Sequence, residues 1–203
     1  MQEATLVMVG GWNINILQPP WMAQQLFEPA GKKFDVEMAV GAGMQLRVRI
    51  NDLYILPGID RIIFNPVRED EDLFSLADTV AAKLFEILPH TPIDGIGYNF
   101  AYSLDDSENF AISDNFKGEN RNDVYNRFNA SATSATVLQH SVLVEVFPIA
   151  LLNIIYKYDK NSRVLTLNYH YQLDCKRDKI KSALNHFTKC YLHSKTICRE
   201  LII

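Results

Sequence analysis

The chain has 203 residues, 48% of them hydrophobic and 22% charged, with a formal net charge of −4. That length suits a single domain whose core needs neither disulfides nor metals, and the composition excludes wholesale disorder. The acidic balance argues against a dedicated nucleic-acid binder, no apolar run is long enough for a bilayer, and MQEATLVMVGG lacks the basic start of a secretory signal. The cysteines, Cys175, Cys190 and Cys198, form no CxxC pair, so reduced thiols in a cytoplasmic protein are expected.

A first strand is expected over Gly11 to Leu17, with Asn13 and Asn15 on its polar side. Pro19-Pro20 then leads into a short helix, Trp21 to Phe27, because proline suits the first helical turn. Phe34, Val36, Met38 and Val40 alternate with Lys33, Asp35 and Glu37. Met44, Leu46, Val48 and Ile50 alternate with Gln45, Arg47 and Arg49. Gly41-Ala42-Gly43 between these runs predicts a β-hairpin. Leu53 to Leu56 offers an additional strand, and a further one, Ile59 to Asn65, ends at Pro66.

Arg68-Glu69-Asp70-Glu71-Asp72 opens a helix, since acids complement the N–H groups at a helix start; a cap explains the cluster better than a cation site. Leu73, Leu76, Ala77, Val80, Leu84, Ile87 and Leu88 recur at spacings of three and four, and Pro89 and Pro92 stop the helix. The second half begins with a strand from Ile93 to Leu104, followed by a polar segment over 105–131 with a short helix and a loop. Strands follow over Val137 to Phe147, Ile149 to Tyr158 and Arg163 to Leu173, with a turn or bulge at Pro148 and a polar hairpin turn over Asp159 to Ser162. One amphipathic helix closes the order, from about Lys176 to Leu192.

Each half thus reads as β-α-β-β-β-α. The expectation is an α+β single domain over 1–203, with repeated halves at about 4–90 and 93–192 and a short tail over 193–203. This order resembles that of the saddle-shaped TATA-box-binding protein, although no sequence motif supports the likeness. The resemblance implies one antiparallel, saddle-like sheet with two long helices packed on one face. The repeat itself predicts that Asn13 and Asn15 match Asn99 and Ala101 across a pseudo-twofold axis.

The sheet face opposite the apolar residues would carry Asn13, Asn15, Gln45, Arg47, Arg49, Asn99, Ser103, Glu145, Asn153, Lys157, Asn168, His170 and Gln172. Asn and Gln are poor strand formers, so several in mid-strand require either cross-strand pairing or a partner. Asn13, Asn15, Arg47, Arg49, Asn99, Asn168 and His170 form the candidate binding set. The aromatics Trp12, Trp21, Tyr98, Phe100, Tyr102, Tyr169 and Tyr171 fit a core with hydroxyls at its edge better than a ligand pocket.

No nucleophile elbow, phosphate loop, dinucleotide fingerprint or HExxH motif occurs. His186, Cys190 and His193 have spacings that meet on a helix, but a fourth ligand is missing; Cys175 near His170 lacks a positioned base. No catalytic residue, metal or cofactor is expected. The favoured reading is a non-enzymatic interaction protein, self-associating or part of an assembly, that uses the amide-rich face or an open strand edge. A nucleic-acid-binding saddle ranks behind it for want of a basic rim, as does a small-ligand binder or enzyme with a site between sheet and helices.

Overall fold

The computed structural model describes residues 1, 3–27, 35–39, 45–104, 135–145, 149–159 and 162–201, and among these apolar–polar alternation produces nine strands in one antiparallel sheet. The first half contains β1 (Glu3–Gly10), α1 (Pro19–Leu26), β2 (Asp35–Ala39), β3 (Gln45–Ile50), β4 (Leu53–Pro57), β5 (Arg61–Pro66) and α2 (Glu71–Ile87). The second contains β6 (Ile93–Ser103), β7 (Ala135–Val144), β8 (Ala150–Asp159), β9 (Arg163–Gln172), α3 (Arg177–Ala183) and α4 (Phe187–Leu201). The strands lie in the order β2-β3-β4-β5-β1-β6-β9-β8-β7, so β1 and β6 join the halves near the middle. The fold is α+β, and no helix among the described residues is long and apolar enough to cross a membrane.

The additional strand at Leu53 to Leu56 is present as β4. It follows β3 through Asn51-Asp52, both at positive φ (51° and 60°), the conformation that a tight two-residue hairpin requires and that Asn and Asp tolerate. Gly41-Ala42-Gly43, the polar segment 105–131, Pro148 and the 160–161 part of the last hairpin turn lie outside the described residues.

Two expected elements are corrected. The first strand is 3–10, not 11–17. Gly10 approaches the Pro92 carbonyl so closely that an added Cβ would sit 2.2 Å from its oxygen, and Gly11 N–H then bonds that same carbonyl. Beyond this point the chain leaves the ladder: Asn13 accepts the Asn15 N–H on its side-chain oxygen, and its carbonyl accepts from Ile16. Local turn bonds at asparagine outcompete strand pairing there, so the expected match of Asn13 and Asn15 with Asn99 and Ala101 falls. The β1 partners of Asn99 and Ala101 are Thr5 and Glu3.

The closing helix is likewise two helices, α3 and α4, and the expected tail over 193–203 is helical as far as Leu201. Asn185 between them takes φ 66°. That break frees N–H groups at the start of α4, and a buried carboxylate on α2 receives them.

That group is Asp78, 4% exposed on the buried side of α2 with Phe74, Ala77 and Ala81. Phe187 N–H donates to Asp78 Oδ2 at 2.9 Å, and Tyr98 Oη lies 2.9 Å from Asp78 Oδ1 and 3.0 Å from the Ala183 carbonyl. A phenol has one proton for these two acceptors. With Asp78 protonated, its hydroxyl donates to Tyr98 and Tyr98 donates to Ala183, so every group is satisfied. Burial also pushes the Asp78 carboxyl up to about 6, against the opposing pull of the Phe187 N–H and the Tyr98 hydroxyl.

Around this joint the core closes on one sheet face. Phe74 stacks on Phe187 of α4 at 4.7 Å, and Phe187 lies 5.4 Å from Tyr98 and 5.8 Å from Phe100 of β6. Leu6, Met8, Phe64, Leu167 and Tyr169 complete the floor beneath the helices; each such burial contributes about 1.5–3 kcal/mol. Trp12, Tyr98, Phe100, Tyr102, Tyr169 and Tyr171 are buried in this core and Trp21 packs half-buried against it. α2 itself starts on Asp70, whose side chain accepts from Asp72 N and Leu73 N, so the acidic cluster supplies a helix cap.

The Asp78 joint makes a pH prediction. Its folded pKa, about 6, lies above the ordinary 3.8, so its contribution is full below 3.8 and lost as pH rises through 6. Asp78→Asn reproduces the neutral donor and acceptor and carries no such dependence. Urea unfolding of both proteins from pH 4 to pH 7 should show the variant gaining on the parent by about 2 kcal/mol. Parallel stability curves would refute the protonated joint.

Candidate functional site on the open sheet face

Side chains of one parity on each strand point away from the helices. They form rows across the sheet, and one row is polar on every strand. It runs Asp35 (β2), Arg49 (β3), Tyr54 (β4) and Asn65 (β5) through successive pairings. Thr5 (β1) stands one place beyond the Leu6–Phe64 pair, beside Asn65; then follow Asn99 (β6), Asn168 (β9), Asn153 (β8) and Ser141 (β7).

The last five of these are hydrogen-bonded in series. Ser141 Oγ donates to Asn153 Oδ1 at 2.6 Å, Asn153 Nδ2 to Asn168 Oδ1 at 2.8 Å, Asn168 Nδ2 to Asn99 Oδ1 at 2.5 Å and Asn99 Nδ2 to Thr5 Oγ1 at 3.1 Å. Each amide therefore spends one N–H and one oxygen lone pair on its neighbours. This pairing accounts for amides in mid-strand: cross-strand bonds compensate for their poor strand propensity.

The adjacent row is mostly apolar, through Leu56, Ile63, Val7, Gly97, His170, Leu151 and Leu143. Gly97 leaves room at the sheet centre, where an added Cβ would meet Asn168 Nδ2 at 3.4 Å. His170 bonds the Gln172 side chain at 3.0 Å. At the β7–β8 end, Leu143, Ile149 and Leu151 are 76%, 63% and 37% exposed.

The opposite end carries charge. Arg47 lies 4.1 Å above the Tyr54 ring and bonds Glu37 through Nε at 2.9 Å and through Nη2, while the Tyr54 hydroxyl donates to Glu37 at 3.1 Å. The hairpin turn brings Asp52 between Arg49, which bonds it, and Arg68, which bonds it at 2.7 Å. These guanidinium groups hold the Glu37 and Asp52 carboxyls below the usual range. Arg47, Arg49, Arg68, Tyr54 and Asn65 line an open cleft of about 400 Å³ that also borders Glu3 and Glu69.

Of the candidate binding set, Asn99, Asn168, His170, Arg47 and Arg49 lie on the open face, with the first two in direct contact and the arginines near the far end. Asn13 and Asn15 do not join them; they belong to the turn after β1. Thr5, Tyr54, Asn65 and Arg68 were missed. Tyr54 and Asn65 carry the ordinary signal, polar positions alternating with buried ones. Asp78 was missed too, although an acid four residues from Phe74 and three from Ala81 on an apolar helix stripe is a visible anomaly.

The histidine–cysteine spacing near the C-terminus makes no metal site. His186 precedes α4 and pairs with the Ser182 carbonyl, Cys190 is buried against the Tyr171 hydroxyl, and His193 pairs with Tyr169. Among the described residues no group of His, Cys, Asp and Glu has the geometry to hold a metal ion. Cys175 donates to Asp94 at 3.0 Å, and that carboxylate pushes its thiol pKa up, the reverse of what a nucleophile needs.

Protein-family models give no match to the chain, and curated proteins give none at a significant level.

The amide series makes a thermodynamic prediction. Asn168→Ala interrupts it at its middle and should cost about 1–2 kcal/mol in urea unfolding. In a double-mutant cycle with Asn99→Ala, the coupling should exceed roughly 0.5 kcal/mol. Additive losses would mean that the two amides act independently.

Proposed function

We propose that this protein is a non-enzymatic interaction protein that associates with a second copy of itself through β7 and the adjoining end of the open face. The observation that supports this is the character of β7. It is a ten-residue terminal strand, ATVLQHSVLV, with no charge, proline or glycine, and among the described residues it has a strand neighbour on one side only. Soluble proteins ordinarily blunt such an edge with charge, proline or brevity. The opposite edge is blunted: β2 has five residues and carries Asp35 and Glu37.

The asymmetry selects the partner. Pairing β7 with the β7 of a second copy is self-complementary and closes as a twofold dimer, leaving among the described residues the acidic β2 edges outside. Pairing β7 with β2 would be mismatched in length and open-ended. Leu143, Ile149 and Leu151, exposed beside that edge, supply apolar area to the same contact.

In this reading the two halves derive from one duplicated unit with a saddle-like sheet. Support comes from the strand order: in each half the last strand returns beside the first (β5 beside β1, β9 beside β6), and the two first strands pair antiparallel. The first half carries one more strand than the second among the described residues.

Size-exclusion chromatography with light scattering tests the proposal. The parent should elute at twice its 23.2 kDa chain mass. Gln139→Lys with Leu143→Lys, both at exposed positions, should give a monomer with an unchanged circular dichroism spectrum. A monomeric parent at high micromolar concentration would overturn the proposal, and so would a dimer that this double variant leaves intact.

A further inference from the structure

We propose that the arginine cleft at the β3–β4 end of the open face binds the phosphoryl group of a small phosphate ester. This site is separate from the β7 contact and does not depend on it.

Three guanidinium groups border the cleft, two from alternate positions of β3 and one from the segment before α2. The carboxylates that hold them, Glu37, Asp52 and Asp70, are absent from the cleft lining. The acids therefore stand behind or beside the arginines and fix their planes. Arg47 gives Glu37 its Nε and one Nη2 donor, Arg49 gives Asp52 one donor, and Arg68 divides two between Asp52 and Asp70. A guanidinium has five N–H donors, so each keeps a majority of them for another acceptor.

Stacking on Tyr54 further immobilises Arg47, and the Asn51-Asp52 turn is a tight two-residue hairpin. Guanidinium groups oriented in advance lose little freedom when an oxyanion binds, and their forked donors match phosphate oxygens. A dianionic phosphoryl group, with three terminal oxygens, suits three such forks better than a monocarboxylate does. Glu3 and Glu69 also line the cleft and oppose an anion, so the three guanidinium groups must outweigh them. Asn65 adds an amide to the lining, and the cleft volume of about 400 Å³ accommodates a small ester.

Inorganic phosphate and phenyl phosphate, titrated at constant ionic strength with chloride as compensating salt, are the probes. Isothermal calorimetry should show saturable binding of both to the full chain. Arg49→Gln and Arg68→Gln should each weaken it at least tenfold, with unchanged circular dichroism and an unchanged elution volume. Arg68 lies in an exposed segment, so that variant reports on the site if Arg49→Gln fails to fold. Absence of saturable binding to the parent would overturn the proposal, as would binding that both variants retain. Neither result bears on the mass measured by light scattering, so the dimer and the cleft stand or fall separately.

Discussion

The arrangement of the whole molecule turns on the contact between Asp78, Tyr98 and the first turn of α4. Three elements distant in sequence meet there: the middle of α2, the centre of the sheet on β6, and the chain reversal at Asn185. An acid on a buried helix stripe is costly unless it is neutral or fully bonded; here the Phe187 N–H and the Tyr98 hydroxyl supply bond partners, and burial raises the carboxyl's pKa. Because the same carboxyl accepts the Phe187 N–H, α4 starts where Asp78 stands. Phe187 is thereby fixed against Phe74, Tyr98 and Phe100, and α2 and α4 are committed to one face. The other face stays free of helices among the described residues, which leaves the polar row, the exposed leucines and the arginine cleft accessible.

Much of this was legible in the sequence, and the failures share a cause. Alternation over 44–50, 93–104 and 163–173 located strands that form, and it separated the buried Tyr98, Phe100 and Tyr169 from the outward Asn99 and Asn168. Caps and prolines bounded α2 within a residue or two. The errors fall at asparagines whose conformation depends on contacts distant in sequence. At Asn13, a side-chain bond to a neighbouring N–H made a turn from a segment whose alternation imitates a strand. At Asn185, a left-handed residue interrupted a pattern that otherwise reads as one continuous helix. Neither outcome can be read locally. Each is decided by tertiary partners, the Pro92 carbonyl in one case and Asp78 in the other.

The open face shows a division that hydrophobic patterning cannot express. Its polar row crosses all nine strands, yet the chemistry along it changes. Toward β7 the row consists of neutral amides and hydroxyls bonded to one another; toward β2 it reaches the ions Arg49 and Asp35, with Arg49 paired to Asp52 of the turn and the Arg47–Glu37 pair beside it. Amide bonds across strands are short-ranged and little affected by salt, whereas exposed ion pairs are individually weak and screened. Raised salt should therefore loosen the arginine end first and leave the amide series nearly intact. The two halves, whatever their origin, present different surfaces to any partner.

Self-pairing through β7 has a geometric consequence for the arginine cleft. Strands that pair with like parities opposed keep their outward side chains on one side, so both clefts of a dimer would open on the same face. From the dimer axis to β3 there are about seven strand spacings in each copy, which at about 4.8 Å each separates the clefts by on the order of 70 Å. Charge cannot couple sites so far apart across solvent with a Debye length of about 8 Å. Any influence of one cleft on the other must pass through the backbone ladder and the amide series from Thr5 to Ser141. That series is the one continuous side-chain hydrogen-bond path described between the sheet centre and the β7 edge. It would thus join the central strands mechanically to the dimer contact, while binding at the two clefts stays independent unless β1 and β5 shift in register together.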